Sequence, residues 1–214
     1  GLVHAACSYI GRYNFPFWKL VGASVTSSYR KKWQASESDR ILNLGGGSNC
    51  LDGCLTVDID PRSDVYVDLS KKLPFPDASV DAIFCEEAIE HISLEAGKQL
   101  LQECWRILKP GGAIRLATPD LNWFTSKLSQ SHTHCHELNQ IFYEHGHCYL
   151  YTREALQFYC QEAGFIEVYF STYQESKSRL GYLDSHAHRF QHLPEMSQYL
   201  EAEKPKEIAP NLEL

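Results

Sequence analysis

The sequence predicts an α/β protein whose helices pack on a sheet of largely parallel strands. Four short apolar runs each end at glycine, proline or polar residues, which is typical of buried strands that lead into loops. They are Ile41–Leu44, Leu55–Asp60, Val80–Cys85 and Ala113–Ala117. Amphipathic segments with helical spacing stand between and after these runs, and this alternation predicts helices layered on a sheet.

Two helices and two further strands follow from apolar spacing and capping residues. From Ser93 to Leu108 apolar residues recur near helical spacing, and the first serine is a suitable N-cap. A second helix is predicted from Thr152 to Ala163, where a glycine follows. Strands are predicted from Phe165 to about Thr172 and from Met196 to Glu203.

The composition is that of a folded protein of one ordinary domain. Of 214 residues, 43% are hydrophobic, 22% charged and 12% aromatic, which excludes a disordered, collagen-like or pure coiled-coil chain. The formal net charge of −7 gives no electrostatic reason to expect a nucleic acid or an anionic membrane as partner. Small molecules or neutral polymers fit this charge better.

Changes in composition divide the chain into three segments. Residues 1–40 carry many aromatic side chains without strong periodicity and are predicted to form a packed appendage or lid. Residues 41–205 form the main domain, and residues 206–214 form a tail. The apolar stretch from Leu2 to Val25 is interrupted by polar, charged and proline residues, so it predicts neither a membrane span nor a signal peptide.

The number and positions of the cysteines indicate the cellular compartment. The chain has eight cysteines, which lie scattered and in several cases within apolar runs. This pattern favours buried free thiols over a secreted disulfide framework. We therefore expect a reducing compartment and a cytoplasmic location.

The loop after the first strand and the end of the second strand carry the first chemical indication. Gly45, Gly46 and Gly47 allow the backbone to approach a ligand closely, although such glycines can also form a simple tight turn. Asp58 follows about a dozen residues later, where an acidic residue typically accepts hydrogen bonds from ribose hydroxyls. Together they predict a nucleoside site at the carboxyl end of the sheet.

Seven blocks between Ile41 and Asp120 carry a family resemblance. They are Leu42-Asn43-Leu44-Gly45-Gly46-Gly47-Ser48, Val57-Asp58-Ile59-Asp60-Pro61, Val67-Asp68-Leu69, Leu73-Pro74-Phe75-Pro76-Asp77 with Val80-Asp81, Glu90-His91-Ile92, Glu103-Cys104-Trp105-Arg106-Ile107-Leu108-Lys109-Pro110-Gly111-Gly112 and Thr118-Pro119-Asp120. In this order the blocks resemble the class I S-adenosylmethionine-dependent methyltransferases, particularly the small type 11 group. The resemblance implies a Rossmann-like methyltransferase fold, with a mostly parallel seven-stranded sheet and an antiparallel last strand.

The same resemblance implies S-adenosylmethionine as cofactor and a position for each of its parts. The implied residues are Gly45, Gly46 and Gly47 for the methionine part, Asp58 for the ribose, Asp68 and Leu69 for the adenine edge, and Cys85 and Glu86 for the far side. The sulfonium already activates the methyl group, so the protein mainly has to align an acceptor, and no metal is required.

Two features depart from the family pattern. Asn43 stands where an acidic residue is usual, and Asn49 stands at the third loop glycine. Only twelve residues separate Leu44 from Val57, and five separate Ile59 from Val65, although a parallel crossover usually takes about a dozen including its helix. We therefore expect a shortened first crossover helix, no second one, and a short third strand.

Candidate catalytic groups follow the Val80–Cys85 strand. His91 and Glu87 are candidate general bases, since histidine as a residue type is suited to removing a proton near neutral pH; alternatively His91 only anchors its loop. Asp120 either touches the acceptor or caps the next helix.

A segment rich in histidine and cysteine follows. Its members are His132, His134, Cys135, His136, His145, His147 and Cys148. Their spacing fits no common zinc pattern, so a loop or short helix over the site is favoured over a metal centre, with walls from Phe142, Tyr143, Tyr149 and Tyr151. His186, His188 and His192 are predicted to lie on a surface or substrate-facing loop.

These observations favour an enzyme that methylates oxygen of a small molecule or glycan. The alternative is a protein of the same fold that binds S-adenosylmethionine or a nucleoside without turnover, because Asn43 and the short sheet edge both alter the pocket. Neither the acceptor nor the oligomeric state follows from the sequence.

Overall fold

A computed structural model describes residues 40–206, and within them a seven-stranded sheet forms the centre of the molecule. The strands are β1 Ile41–Leu44, β2 Cys54–Asp58, β3 Val65–Tyr66, β4 Val80–Glu86, β5 Leu108–Pro119, β6 Ile166–Ser171 and β7 Ser197–Glu203. Their order is β3-β2-β1-β4-β5-β7-β6, with only β7 antiparallel to its neighbours. The predicted fold class is confirmed, whereas the predicted appendage and tail lie almost entirely outside the described residues.

Five α-helices pack around the described part of the sheet. They are α1 Leu94–Ile107, α2 Leu121–Ser126, α3 His132–Tyr143, α4 Arg153–Glu162 and α5 His186–Phe190. The hydroxyl of Ser93 accepts from the amide of Ala96, and that of Thr152 accepts from Ala155, so both predicted helices begin at their expected caps.

The β3 edge of the sheet is smaller than predicted. Residues 45–53 contain turns and no helix, so the expected shortened first crossover helix was wrong. Gly45, Gly47 and Gly53 all have positive φ within this short link, and such glycines interrupt a right-handed helix. The second crossover also lacks a helix, as predicted, and β3 pairs with β2 through only two residues.

The core is formed by the central strands and the apolar face of α1. Leu44 and Ile83 from the sheet and Ile107 from α1 are fully buried. Burial of such side chains contributes roughly 25 cal/mol per Å² of apolar surface and supplies most of the favourable energy of folding. The core therefore fixes the carboxyl ends of β1 and β4 relative to each other.

Cysteine burial agrees only in part with the prediction. Cys85, Cys104 and Cys160 are buried free thiols, whereas Cys50, Cys135 and Cys148 are exposed. No helix between residues 40 and 206 combines the length and apolar character needed to cross a bilayer.

Arg115 is a buried cation in the middle of β5. Its guanidinium binds the carboxylates of Asp184 and Glu201 and stacks on the ring of Tyr199. Because Asp184 lies just before α5, this cluster holds the segment that carries α5 against the sheet. A second contact, at Glu86, holds the same segment from the neighbouring strand.

Candidate functional site

The glycine loop after β1 lies against the segment that follows β4. A Cβ placed on Gly45 would lie 2.2 Å from Cβ of Ala88, and Gly45 has a φ of +74°. Both the close approach and the backbone conformation therefore require glycine at this position. The loop is held at the carboxyl end of the sheet, as the sequence predicts.

Asn43, the β1 residue that departs from the family pattern, holds this loop through its side-chain amide. It is buried, and its Nδ2 donates to the carbonyl of Asn49 at 3.1 Å and to Oγ1 of Thr56 at 3.3 Å. A Cβ on Gly46 would lie only 2.2 Å from this Nδ2. The amide therefore stabilises the loop through donors that an acidic side chain could not supply.

Asp58 joins the glycine loop to the end of β2. Its Oδ2 accepts from the amide of Gly47 at 2.8 Å, and its Oδ1 accepts from the amide of Asp60 at 2.7 Å. Burial raises the pKa of Asp58 despite these bonds. Each carboxylate oxygen has a further lone pair, so Asp58 can still accept from ligand hydroxyls.

Asp68 and Leu69 stand next to the loop, just after β3. Cδ1 of Leu69 lies 3.6 Å from the position that a Cβ on Gly45 would take. Oδ1 of Asp68 accepts from the amide of Ser70 at 2.9 Å and from its hydroxyl at 2.6 Å. The structure thus brings Leu69 to the glycine loop, while a local turn engages the carboxylate of Asp68.

Glu86, at the end of β4, holds the start of α5. Its carboxylate accepts five hydrogen bonds from Ser185, His186 and Arg189. Burial acts to raise the pKa of Glu86, but these hydrogen bonds outweigh it and lower the pKa to about 2. The predicted role of Glu86 toward a cofactor remains a prediction, since its oxygens are already engaged by the protein.

His186 was wrongly predicted to lie on a surface or substrate-facing loop. It is fully buried, with Nδ1 3.0 Å from Oε1 of Glu86 and Nε2 3.1 Å from the hydroxyl of Tyr199. Its partners are distant in the sequence, so local polarity could not reveal this burial. Of the other two histidines, His188 is exposed and His192 lines a cavity.

A cavity of about 370 Å³ opens beside the ends of β4 and β5. Its lining combines histidines, an acidic residue and apolar side chains: Glu87, His91, Pro119, Phe124, Ile141, His145, His147, Phe190, His192, Met196 and Ser197. Both predicted catalytic residues are among them. The predicted aromatic walls were wrong, since Phe124 and Phe190 line this cavity in place of the four aromatic residues between 142 and 151.

Glu87 has an unusual backbone and an unusual carboxyl group. Its φ is +51°, a strained value for a residue with a side chain, of the kind that clusters at functional sites. Ser197 donates its hydroxyl to Oε1 of Glu87 at 2.9 Å. Burial, together with the nearby carboxylate of Glu90, raises the pKa of Glu87 well above its ordinary value. A carboxyl group of raised pKa in a cavity wall is suited to proton transfer.

Glu90 belongs to the Glu90-His91-Ile92 block of the family resemblance but was assigned no role from the sequence, yet it stands beside both His91 and His147. It is fully buried; its Oε2 accepts from the hydroxyl of Thr118 at 2.8 Å, while its Oε1 has no hydrogen-bond partner in the part of the chain described. Nε2 of His91 and Nε2 of His147 each lie 3.9 Å from that free oxygen. The arrangement could have been anticipated only by pairing Glu90 with a histidine more than fifty residues away.

His147 is held in place through the backbone of the residues that follow it. The amides of Cys148 and Tyr149 donate to the carbonyl of Glu90 at 2.7 and 3.1 Å. Burial, with smaller effects of His91 and His145, lowers the pKa of His147 to about 3, so its imidazole is neutral at physiological pH. The predicted loop or short helix over the site includes α3, which adds Ile141 to the cavity lining. Among the described histidines and cysteines of this segment, His147 brings a possible metal-ligand atom within 4.8 Å of those of Glu90 and His91, while the thiol of Cys148 donates to the carbonyl of His91 at 3.2 Å.

Asp120 caps α2. Its Oδ1 accepts from the amides of Asn122 and Trp123, and its Oδ2 binds Arg153 at 2.8 Å. Of the two roles that the sequence left open, the structure therefore shows the cap.

Comparison with known proteins agrees with this architecture. Residues 56–116 match the family described as a methyltransferase domain. A probable S-adenosylmethionine-dependent methyltransferase of Mycolicibacterium smegmatis is 42% identical over 60 residues, covering 28% of this chain and 23% of the relative. The malonyl-[acyl-carrier protein] O-methyltransferase 1 of Coxiella burnetii is 45% identical over 67 residues, covering 30% of this chain and 23% of the relative.

The likeness to solved structures extends over most of the chain. The crystal structure of an S-adenosylmethionine-dependent methyltransferase from Archaeoglobus fulgidus superposes with a TM-score of 0.53 and 17% identity, covering 87% of this chain and 94% of that one. At this identity the likeness shows the fold. The chain spans about a quarter of the length of the curated relatives that it matches.

Proposed function

We propose that this chain, whose residues 56–116 match the methyltransferase domain family, is a class I S-adenosylmethionine-dependent methyltransferase that transfers a methyl group to an oxygen of a small molecule or glycan. One observation carries the proposal: the Asp58-braced glycine loop and a cavity lined by Glu87 and His91 both lie at the carboxyl end of the same sheet. Ligands of open α/β sheets bind at this end.

The residues around the glycine loop fit this cofactor. Gly47 faces open space, since a Cβ there would meet nothing within 4 Å, and the carboxylate of Asp58 offers free lone pairs at the end of β2. Gly45–Gly47 would face the methionine part, Asp58 the ribose, and Asp68 with Leu69 the adenine. When bound, the cofactor supplies a methyl group already activated by a sulfonium.

The cavity beside β4 would receive the acceptor. Imidazoles together with Phe124 and Phe190 suit a polar but uncharged molecule, because the rings supply apolar surface and the nitrogens supply hydrogen bonds. As the carbon–oxygen bond forms and the carbon–sulfur bond breaks, the hydroxyl proton has to leave. Glu87 and His91 are the groups in the cavity wall that would receive it.

Glu86 would act differently from its neighbour Glu87. Its five hydrogen bonds hold Ser185, His186 and Arg189, and α5 carries Phe190 into the cavity wall. We therefore assign Glu86 as a positioning residue that shapes the acceptor cavity. Its contact with the cofactor, implied by the resemblance, would at most be made through the backbone.

Titration calorimetry with S-adenosylmethionine and with S-adenosylhomocysteine tests cofactor binding. Transfer of a labelled methyl group to phenols, sugars and carboxylic acids then tests the reaction. Heat from both ligands together with labelling of a hydroxyl-bearing acceptor is the expected result. The absence of a binding heat with both ligands would contradict the proposal. Binding without methyl transfer to any acceptor would favour the non-catalytic alternative.

The proposal includes a cytoplasmic setting and excludes nucleic acid as the acceptor. Buried thiols at Cys85, Cys104 and Cys160 are compatible with a reducing compartment. The net charge of −7 disfavours a polyanionic acceptor.

A further inference from the structure

We propose that Glu90, His91 and His147 form a binding site for a divalent transition-metal ion of the zinc class. The site is separate from the cofactor loop and does not depend on the proposed methyl transfer. The sequence predicted no metal site, because the histidine- and cysteine-rich segment was considered there without Glu90. The proposed site therefore departs from that prediction.

The three side chains already surround one point. One ligand atom of each lies within 4.8 Å of the other two, and both histidine Nε2 atoms lie 3.9 Å from Oε1 of Glu90. Zinc bonds of about 2.0–2.2 Å in tetrahedral geometry place such atoms roughly 3.4 Å apart. Each atom therefore has to move inward by roughly 1 Å or less, which small side-chain rotations supply.

The burial of these groups gives a second and independent reason for a cation. Oε1 of Glu90 is buried and lacks a hydrogen-bond partner within residues 40–206. A buried carboxylate is costly unless it is paired or coordinates a metal. An ion bound by Oε1 of Glu90 would satisfy the free oxygen, while the hydroxyl of Thr118 keeps the carboxylate oriented through Oε2.

The backbone prepares this arrangement before any ligand binds. Amides at 148 and 149 donate to the carbonyl of Glu90, so the loop that carries His147 is tied to the residue that supplies the carboxylate. The rings of His91 and His147 are 4.6 Å apart, edge to face. Two imidazoles and one carboxylate suit zinc, cobalt, nickel or iron rather than magnesium or calcium, which prefer oxygen ligands.

The fourth coordination position would open into the cavity. His91 and His147 both line it, and three protein ligands with one open position are the pattern of catalytic zinc sites. If the chain transfers methyl groups as proposed, a hydroxyl of the acceptor would bind there and lose its proton more readily. His91 would then be committed to the ion, which leaves Glu87 to receive that proton.

Metal binding to the full chain, first stripped with a chelator and dialysed, tests the site. We expect one equivalent of Zn²⁺ in calorimetry, and one equivalent of Co²⁺ with visible absorption bands of a four- or five-coordinate site. His147→Ala and Glu90→Gln should each weaken binding at least about 100-fold, since losing an outer partner alone costs 10–100-fold.

Matched controls separate this site from other histidines. His132→Ala and His136→Ala each remove an exposed imidazole of α3, and both should retain the affinity of the wild type. If His147→Ala or Glu90→Gln loses its folded circular dichroism, His91→Ala is used in its place, because that side chain is 38% exposed. The proposal would be wrong if the variants at Glu90, His91 or His147 still bound one equivalent of metal ion. It would also be wrong if the wild type bound none.

Titration with S-adenosylhomocysteine in the metal-free and metal-loaded protein keeps the two proposals distinct. Cofactor binding without metal binding would refute only the metal site. Metal binding without cofactor binding would refute only the methyl transfer.

Discussion

Nδ1 of His186 lies 3.0 Å from Oε1 of Glu86, although 100 residues separate the two in the chain. The contact joins the carboxyl end of β4 to the start of α5, and Phe190 at the end of that helix lines the cavity. The cavity wall is therefore positioned by a buried carboxylate that does not itself line the cavity.

Replacing Glu86 by glutamine should destabilise the fold in a pH-dependent way. The folded pKa of about 2 lies below the ordinary 4.5, so the contribution is fully present above pH 4.5 and is lost as pH falls through about 2. We expect Glu86→Gln to lower the free energy of unfolding by about 3 kcal/mol at pH 7. Urea unfolding at pH 7, 5 and 3 measures it.

The exposed Glu162 at the end of α4 provides the control. Glu162→Gln should shift the free energy of unfolding by less than about 0.5 kcal/mol at every pH. A difference between wild type and Glu86→Gln that stays constant from pH 7 to 3 would show that the charge of Glu86 is not what stabilises the α5 contact.

Gly45→Ala should abolish cofactor binding, and Gly53→Ala should not. Both glycines have positive φ, of +74° and +77°, but a Cβ at Gly45 would lie 2.2 Å from Ala88 while one at Gly53 meets nothing within 4 Å. The backbone strain, about 1–2 kcal/mol, is shared by both variants, so only the steric clash distinguishes them. Calorimetry with S-adenosylhomocysteine measures the difference, and equal affinities would argue against the loop as the cofactor site.

Local features of the fold could be predicted from the sequence because their causes are local. Ser93 and Thr152 begin helices by accepting hydrogen bonds from amides three residues later, and apolar runs mark the buried strands. A short first crossover helix was predicted although the structure has none. The positive φ of Gly53 depends on a turn that the pattern of apolar and polar residues does not show.

The candidate site could be predicted only in part. The glycine loop and Asp58 lie close in sequence and were found together, as were Glu87 and His91. The burial of His186 and the meeting of Glu90 with His147 depend on contacts across 100 and 57 residues, and a single sequence carries no record of such pairings.

Asp58→Asn should weaken the binding of S-adenosylhomocysteine by about tenfold to a hundredfold. Hydrogen bonds of the ribose hydroxyls to a neutral amide are weaker than those to a carboxylate by about 1 kcal/mol each, so the two together account for a loss of this size. The oxygen of the neutral amide can still accept from Gly47, so the loop keeps that contact, while the bond from the amide of Asp60 is lost because the amide nitrogen cannot accept. Calorimetry gives the affinity, with exposed Asp52→Asn as control; an unchanged affinity in Asp58→Asn would exclude Asp58 from the ribose site.

Arg115→Ala should be among the most destabilising single substitutions in the sheet. It would leave the carboxylates of Asp184 and Glu201 buried without their shared cation, and breaking a buried ion pair in this way costs about 3–5 kcal/mol. Arg115→Lys keeps the charge but cannot bind both carboxylates with the same planar group, so it should lose an intermediate amount. Lys98→Ala, which breaks the exposed pair with Glu95, should cost less than about 1 kcal/mol. Urea unfolding of the four proteins ranks them, and an Arg115→Ala variant as stable as Lys98→Ala would show that the buried cluster does not hold the segment before α5.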